Sequence, residues 1–445
     1  MRYYLQTLGC PKNEVESEGM AQLLGAAGHV AAPEPDSADV LIVNTCGFID
    51  PAREESVAAL RELAAGKSPG QRLIAAGCLV ELDGDGLRAA VPGVDAVLST
   101  RRWREIVPVA EGDSPSPALR ERGPGGEGVP RVASSSSAYL KIAEGCDGPC
   151  AFCLIPRIKG PYRSKPAPAI LREARELAAQ GVQEIVLIAQ DTTAYGRDRG
   201  ERNGLARLLE TLTAEVPQVP WWRVMYAYPQ RVTPRLIATM AALPPVCHYL
   251  DLPLQHAHPA TLRRMNRPAD VDRVRRVVRD LRAAMPDVAL RTTFIVGYPG
   301  ETEDEFRALL DFAREMRLDH VGAFSFWAQE ETPAATLPDP VPFPVREERY
   351  HRLMQAQQAI SRSRNEALVG QELAVLVEGQ AEVKGDSTPL VVGRSYRDAP
   401  EIDGLVWVRG PAGPSPWITA RITVATEYDL WGEAVASRCG RSGAS

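Results

Sequence analysis

The sequence predicts an α/β protein in three parts: an N-terminal parallel-sheet α/β domain, a partial barrel of six βα units, and a small C-terminal all-β barrel. Three observations predict it. Short apolar strands alternate with helical patterns in two blocks, separated by a stretch rich in Ser, Pro and Gly. Past the second block the pattern changes to brief β-type runs broken by Gly and Pro. The 445 residues, 44% hydrophobic and 24% charged, give ample core for about three domains.

In residues 1–110, YYLQTLG, DVLIVNT, RLIAAG and DAVLS read as strands, with helices after Lys12, Asp50 and Leu82. The alternation implies a parallel sheet with crossover helices. Asn13 is expected to cap the first helix, with Glu16 as its capping-box partner. Residues 111–137 have too little apolar surface to offset ordering entropy and read as a flexible linker. Residues 138–366 hold six candidate strands: AYLKIAEG, EIVLIAQ, RVMYAY, HYLDLPL, LRTTFIVG and DHVGAFSF. Helical patterns at 167–180, 233–242, 270–284 and 302–316 lie between them, and 345–366 reads as a charged connecting helix. Chemistry in such a barrel is expected in the loops after the strands. Residues 370–437 carry 5 Lys/Arg against 10 Asp/Glu, net −5, and 438–445 read as a tail.

The whole chain has a formal charge of −6, which argues against a general nucleic-acid coat. No apolar run approaches the ~20 residues of a membrane span. The N-terminus lacks the pattern of a signal peptide. The expected location is cytoplasmic, where thiols stay reduced and eight cysteines read first as metal ligands or catalytic groups.

Six of those cysteines form two sets. Cys146, Cys150 and Cys153 make a C-x3-C-x2-C run in EGCDGPCAFC, just after the first barrel strand. Three thiolates can wrap an iron–sulfur cubane and leave one iron open to an outside ligand. The alternative is zinc, whose knuckles favour paired C-x2-C with a distant second pair, absent here. Cys10, Cys46 and Cys78 each follow a strand of the first block, in TLGC, VNTC and AAGC. Equivalent strand ends of a parallel sheet share one edge, so these thiols can converge. The plainer reading is three buried structural cysteines. Cys247 reads as core and Cys439 as tail.

A C-x3-C-x2-C loop after the first strand of a six-unit barrel resembles the radical S-adenosylmethionine (SAM) enzymes. The resemblance implies that the open iron chelates SAM, which is then cleaved to a radical that abstracts hydrogen from carbon. Phe152 matches the aromatic position such enzymes place near the adenine. Over residues 1–437 the chain resembles the methylthiotransferases, at TLGCPKN, NTCGFI, AGCL and EGCDGPCAFCLIPRIKGPYRS. The resemblance implies two [4Fe-4S] clusters, two SAM molecules per turnover, a flavodoxin- or ferredoxin-type reductant, a sulfur donor, and a C-terminal TRAM barrel. IAQDTTAYG, RVMYAYP, YLDLPLQH and RSYRDAPEIDG resemble the branch that methylthiolates the β-carbon of an aspartate in ribosomal protein uS12. The other branch acts on tRNA adenosine. An acidic C-terminal barrel repels RNA and attracts a basic ribosomal protein, so RNA contact is not required; the bland alternative is that acidity aids solubility. The basic stretch Arg157, Lys159, Arg163 is present, with Lys159 where arginine was expected. Rivals from other classes are an electron carrier and a zinc-stabilised ribosome-binding module.

Outside the cysteines, Gln190 and Asp191 end the second barrel strand and are expected to contact the SAM amino group or substrate, or else to cap the next loop. Gly297 and Glu301 in GYPGE are expected near SAM, or to shape a strand-to-helix turn. His256 and His258 suit hydrogen bonding better than metal, and Trp221 and Trp222 read as core or interface.

Overall fold

The computed structural model describes residues 1–113, 131, 135–383, 386–411 and 413–435. Most of the expected linker (114–130 and 132–134) and the whole tail with Cys439 lie outside the described residues.

The N-terminal block is a parallel sheet in the order β2-β1-β3-β4-β5. It comprises β1 (Arg2–Thr7), β2 (Val30–Ala31), β3 (Val40–Thr45), β4 (Arg72–Gly77) and β5 (Ala96–Ser99). Every residue of β3 is buried, as a strand covered on both faces requires. β2 is an addition to the four expected strands, and two exposed residues leave no period to read. The helices α1 (Pro11–Ala26), α2 (Asp50–Gly66) and α3 (Cys78–Ala90) follow β1, β3 and β4. α3 starts earlier than expected because Gly77, at φ +101, turns the chain straight from strand into helix. A Cβ there would lie 2.4 Å from Asn44 Oδ1. The expected capping box is also corrected. Cys10 stands at the cap position, no side chain caps the helix, and Asn13 and Glu16 turn inward instead.

The second block forms a six-stranded open parallel barrel, in the order β13-β12-β11-β10-β9-β6. Its first strand is β6 (Ser137–Lys141), and the short antiparallel pair β7 (Ala143–Glu144) and β8 (Arg163–Ser164) brackets the cysteine loop. The others are β9 (Glu184–Ile188), β10 (Trp221–Val224), β11 (Val246–Asp251), β12 (Ala289–Val296) and β13 (His320–Ser325). β10 begins earlier than expected, so Trp221 and Trp222 lie inside the strand, and Cys247 lies inside β11. The periodicity misleads because Arg223 is fully buried, its charge met by Glu184 at 2.6 Å.

The helix Phe343–Glu366 leads to a closed barrel, β14 (Glu372–Val383), β15 (Asp386–Arg394), β16 (Val406–Arg409), β17 (Trp417–Ala425) and β18 (Leu430–Ala434). The brief β-type runs expected past the second block are strands. This barrel docks beneath the N-terminal ends of the six parallel strands. Arg394 meets Glu184 at 2.6 Å, and the Trp417 ring stands edge-on to Trp221 with centroids 4.5 Å apart. The connection from β15 to β16 pushes up inside the six-stranded barrel. Ala399 packs in one cluster with Tyr139, Val186, Met225 and Tyr249. Asp403 accepts from the Tyr249 hydroxyl at 2.7 Å and faces Arg291 at 3.3 Å. The barrel floor is thus filled by the third domain.

Candidate functional site

Cys10, Cys46 and Cys78 follow β1, β3 and β4, which are neighbours in the sheet, so the three come to one edge as the spacing predicts. Gly9, at φ +97, lets the first loop press on the second: a Cβ there would lie 3.1 Å from Cys46 Sγ. Asn13 joins all three loops. Its Nδ2 donates to the carbonyls of Leu8 (2.9 Å) and Thr45 (3.1 Å), and its Oδ1 accepts from Cys78 Sγ at 3.5 Å. Burial pushes the Cys46 thiol up and Cys78 up to about 12. Neutral thiols are therefore favoured until a positive centre offsets the desolvation.

The other trio lies on the loop above β6. Gly145, at φ +75, could carry no Cβ, which would fall 2.1 Å from the Pro161 carbonyl. Cys146 donates its N–H to Gly160 at 3.1 Å, and its Sγ accepts from the Gly148 N–H at 3.2 Å. Arg267 Nη1 stands 3.6 Å from Cys150 Sγ. Burial raises Cys146, and Cys153 to about 12. Among the described residues no three His, Cys, Asp or Glu side chains close to the spacing of a single ion. Three thiols on each set of loops supply the donor type that an iron–sulfur cluster takes.

The segments that carry the two trios touch. Cys78 packs against Leu154 and Ile158, which follow Cys153. Between the sheets lies a buried ion lattice. Glu16 of α1 meets Lys141 of β6 at 2.9 Å and Lys159 at 2.5 Å, Lys141 meets Glu144 at 2.7 Å, and Thr100 donates to Glu16 at 2.7 Å. Lys159, expected in an open basic stretch, is a buried fastener. Lys141 in an otherwise apolar strand was the legible signal, and it was missed.

The remaining expected residues divide. Gln190 donates to Glu144 at 3.2 Å while its Oε1 is buried with no donor, an acceptor suited to an ammonium. Asp191 accepts from Ala194 N–H at 3.1 Å and pairs with Arg231, which matches the capping alternative. Phe152 lies edge-on to Tyr298 in the GYPGE turn, centroids 6.4 Å apart. Glu301 is committed within that turn. It accepts from Gly297 N–H at 3.0 Å and meets Arg349 at 2.8 Å, while Thr302, not Glu301, caps the next helix. A Cβ on Gly297 would meet the Arg346 side chain at 2.1 Å. His256 is buried beside Glu301, and His258 caps the helix Pro259–Arg264.

Two residues not singled out from the sequence stand between Cys10 and the strand ends of the barrel. Lys12 is 8% exposed, and its Nζ lies 3.1 Å from the centroid of the Tyr226 ring. Burial lowers it to about 8 against the pull of Cys10 and Asp251. Tyr226 itself sits just past β10 at φ +60, a conformation costly for a tyrosine. Its carbonyl accepts from Thr192 N–H at 3.1 Å and its N–H donates to Asp251 at 3.2 Å.

The comparisons agree with this architecture part by part. The Radical SAM superfamily model matches residues 140–313, the uncharacterized protein family UPF0004 model residues 2–99, and the TRAM domain model residues 369–435. Among solved structures, the radical SAM methyltransferase TsrM from Kitasatospora setae shares the fold, with TM-score 0.55 at 13% identity over 75% of this chain and 74% of that one. Fold and paired cysteine trios define a radical SAM enzyme with a TRAM barrel. Over 98% of its length the chain is 52% identical to "Ribosomal protein uS12 methylthiotransferase RimO" of Roseiflexus sp. (strain RS-1), across 97% of that protein. Proteins of the same name from Herpetosiphon aurantiacus and Chloroflexus aurantiacus are 52% and 51% identical, each covered in full. The chain belongs to the RimO family of uS12 methylthiotransferases.

Proposed function

We propose that this chain, in the cytoplasm, attaches a methylthio group to the β-carbon of an aspartate in ribosomal protein uS12, fed by an external sulfur donor and a flavodoxin- or ferredoxin-type reductant. The observation that supports it most is the pair of cysteine trios on touching segments, in a chain alike to its uS12 methylthiotransferase relatives from end to end. Cys10, Cys46 and Cys78 would hold one [4Fe-4S] cluster, and Cys146, Cys150 and Cys153 the other. With SAM bound, the second cluster would supply one-electron chemistry and the first would hold the sulfur to be transferred.

The chain's own residues do the rest. Asn13 holds the first three cysteine loops in one arrangement, and Gln190 Oε1 offers an acceptor to the SAM amino group. Phe152 and the Gly297–Glu301 turn wall that site, while the Glu16–Lys141–Lys159 lattice fixes the gap between the trios. Fixing the gap matters because misplacement of about 1 Å costs on the order of 10²-fold in rate. Anaerobic reconstitution with iron, sulfide, SAM, reductant and uS12, followed by mass measurement of uS12, tests the reading. Gain of one methylthio group is expected. Unmodified uS12 alongside methylthiolated tRNA would overturn it in favour of the tRNA branch.

A further inference from the structure

Beside Cys10 lies a buried cation that, among the described residues, has no carboxylate partner. Lys12 leaves the first turn of α1 two residues after Cys10 and crosses to the barrel, where its ammonium rests on the Tyr226 ring. Among the described residues no carboxylate lies within ion-pair distance of it. The two carboxylates nearest in the same field are already taken. Glu144 is held by Lys141 at 2.7 Å, with Lys159 at 3.8 Å, and Asp251 is held by Arg291 at 3.2 Å. Buried charges in folded proteins are paired, because an unpaired one carries a large desolvation cost. An aromatic face alone compensates only a small part of that cost.

The surroundings show that this arrangement is built. Tyr226 is held at φ +60 by hydrogen bonds from two neighbouring strand-end loops, which place its ring under the ammonium. Such a conformation persists only where the structure around it enforces it, and these cluster at functional sites. Lys12 is therefore fixed at the mouth of the barrel, on the side of the gap that carries Cys10.

The geometry points to Lys12 as the residue that takes the side-chain carboxylate of the target aspartate. This rests on the functional reading above and deepens it. The carbon to be modified is bonded directly to that carboxyl carbon, so gripping the carboxylate leaves the β-carbon little freedom between the two trios. The same ammonium selects against an amide, which would leave it buried and unpaired. Discrimination of this kind is strong when the site's own group is stranded by the wrong ligand.

The test uses reconstituted holoenzyme and two probes, uS12 and uS12 with the target aspartate changed to asparagine. Equilibrium binding of each is measured, with iron content as a check on the clusters. Wild type is expected to bind the aspartate form at least tenfold tighter. Lys12→Met should reduce that preference to within about twofold at unchanged iron content, and Lys12→Arg should keep most of it. If the methionine variant does not fold, Lys12→Gln is expected to lose the preference in the same way. A Lys12→Met protein that still prefers aspartate tenfold overturns the inference. So does one that loses iron yet keeps the preference, since Lys12 then only balances cluster charge. Wild type that modifies uS12 while the variant discriminates undiminished fails this inference alone. Wild type that never modifies uS12 fails the functional reading as well.

Discussion

Single side chains decide whether the six sulfurs gather. Replacing Cys78 by Ala removes one ligand of the first trio, and replacing Cys146 removes one of the second. Each variant is expected to retain about four of about eight irons per chain, measured by anaerobic iron and sulfide analysis. Glu16 is 2% exposed and answers two lysines that are equally buried. Changing it to Gln leaves two buried lysines to share the single carboxylate of Glu144, which should destabilise the chain by about 3 kcal/mol in denaturant unfolding. The sequence showed the six cysteines but not the residues that carry them into place. Asn13 reads as a helix cap because Asn before an apolar run usually is one. Here the turn at Gly9 puts Cys10 at the cap position and points Asn13 at three loops from different parts of the chain. Long-range partners of that kind have no local signature.

Among the elements, strands covered on both faces were legible and their ends were not. β3 and β9 carry unbroken apolar runs at 40–43 and 185–188 and are buried throughout. β10 was placed too late because Arg223, a charge in a strand, looks like a boundary until Glu184 is seen beside it. That pair also explains how the third domain is fastened. Burial alone would raise Glu184, but Arg223 and Arg394 outweigh it and hold the carboxyl at about 2. A depressed carboxyl contributes stability that is present above its unfolded value near 4.5 and is lost as pH falls toward 2. Docking of the closed barrel should therefore weaken between about pH 4.5 and pH 2. Emission from the Trp221–Trp417 pair should report it, and Glu184→Gln should show the undocked signal already at neutral pH. An unchanged emission across that range would contradict the role given to Glu184.

Across the whole molecule, three domains converge on one six-stranded barrel: the first lays α1 against its strand ends, the second forms its wall, and the third fills its floor. The order of domains was readable from the change of periodicity along the chain. Their interlocking was not, because RSYRDAPEIDG is mostly polar and carries no period that announces burial, whereas Ser395, Arg397, Asp398 and Ala399 are all buried. Asp403 and Asp251 share Arg291, which joins the floor to the strand end beneath Tyr226. A chain ending after Glu366 should leave Arg291 with one partner fewer and open the floor to water. Lower solubility and a melting temperature reduced by more than 10 °C are expected by scanning calorimetry. Ala399 and Asp403 thus belong to the interior of the six-stranded barrel although the chain assigns them to its last module. Chimeras that exchange C-terminal modules between family members should work only when that plug travels together with the chamber lining it was shaped against, so the portable unit of evolution here is the seam and not the domain.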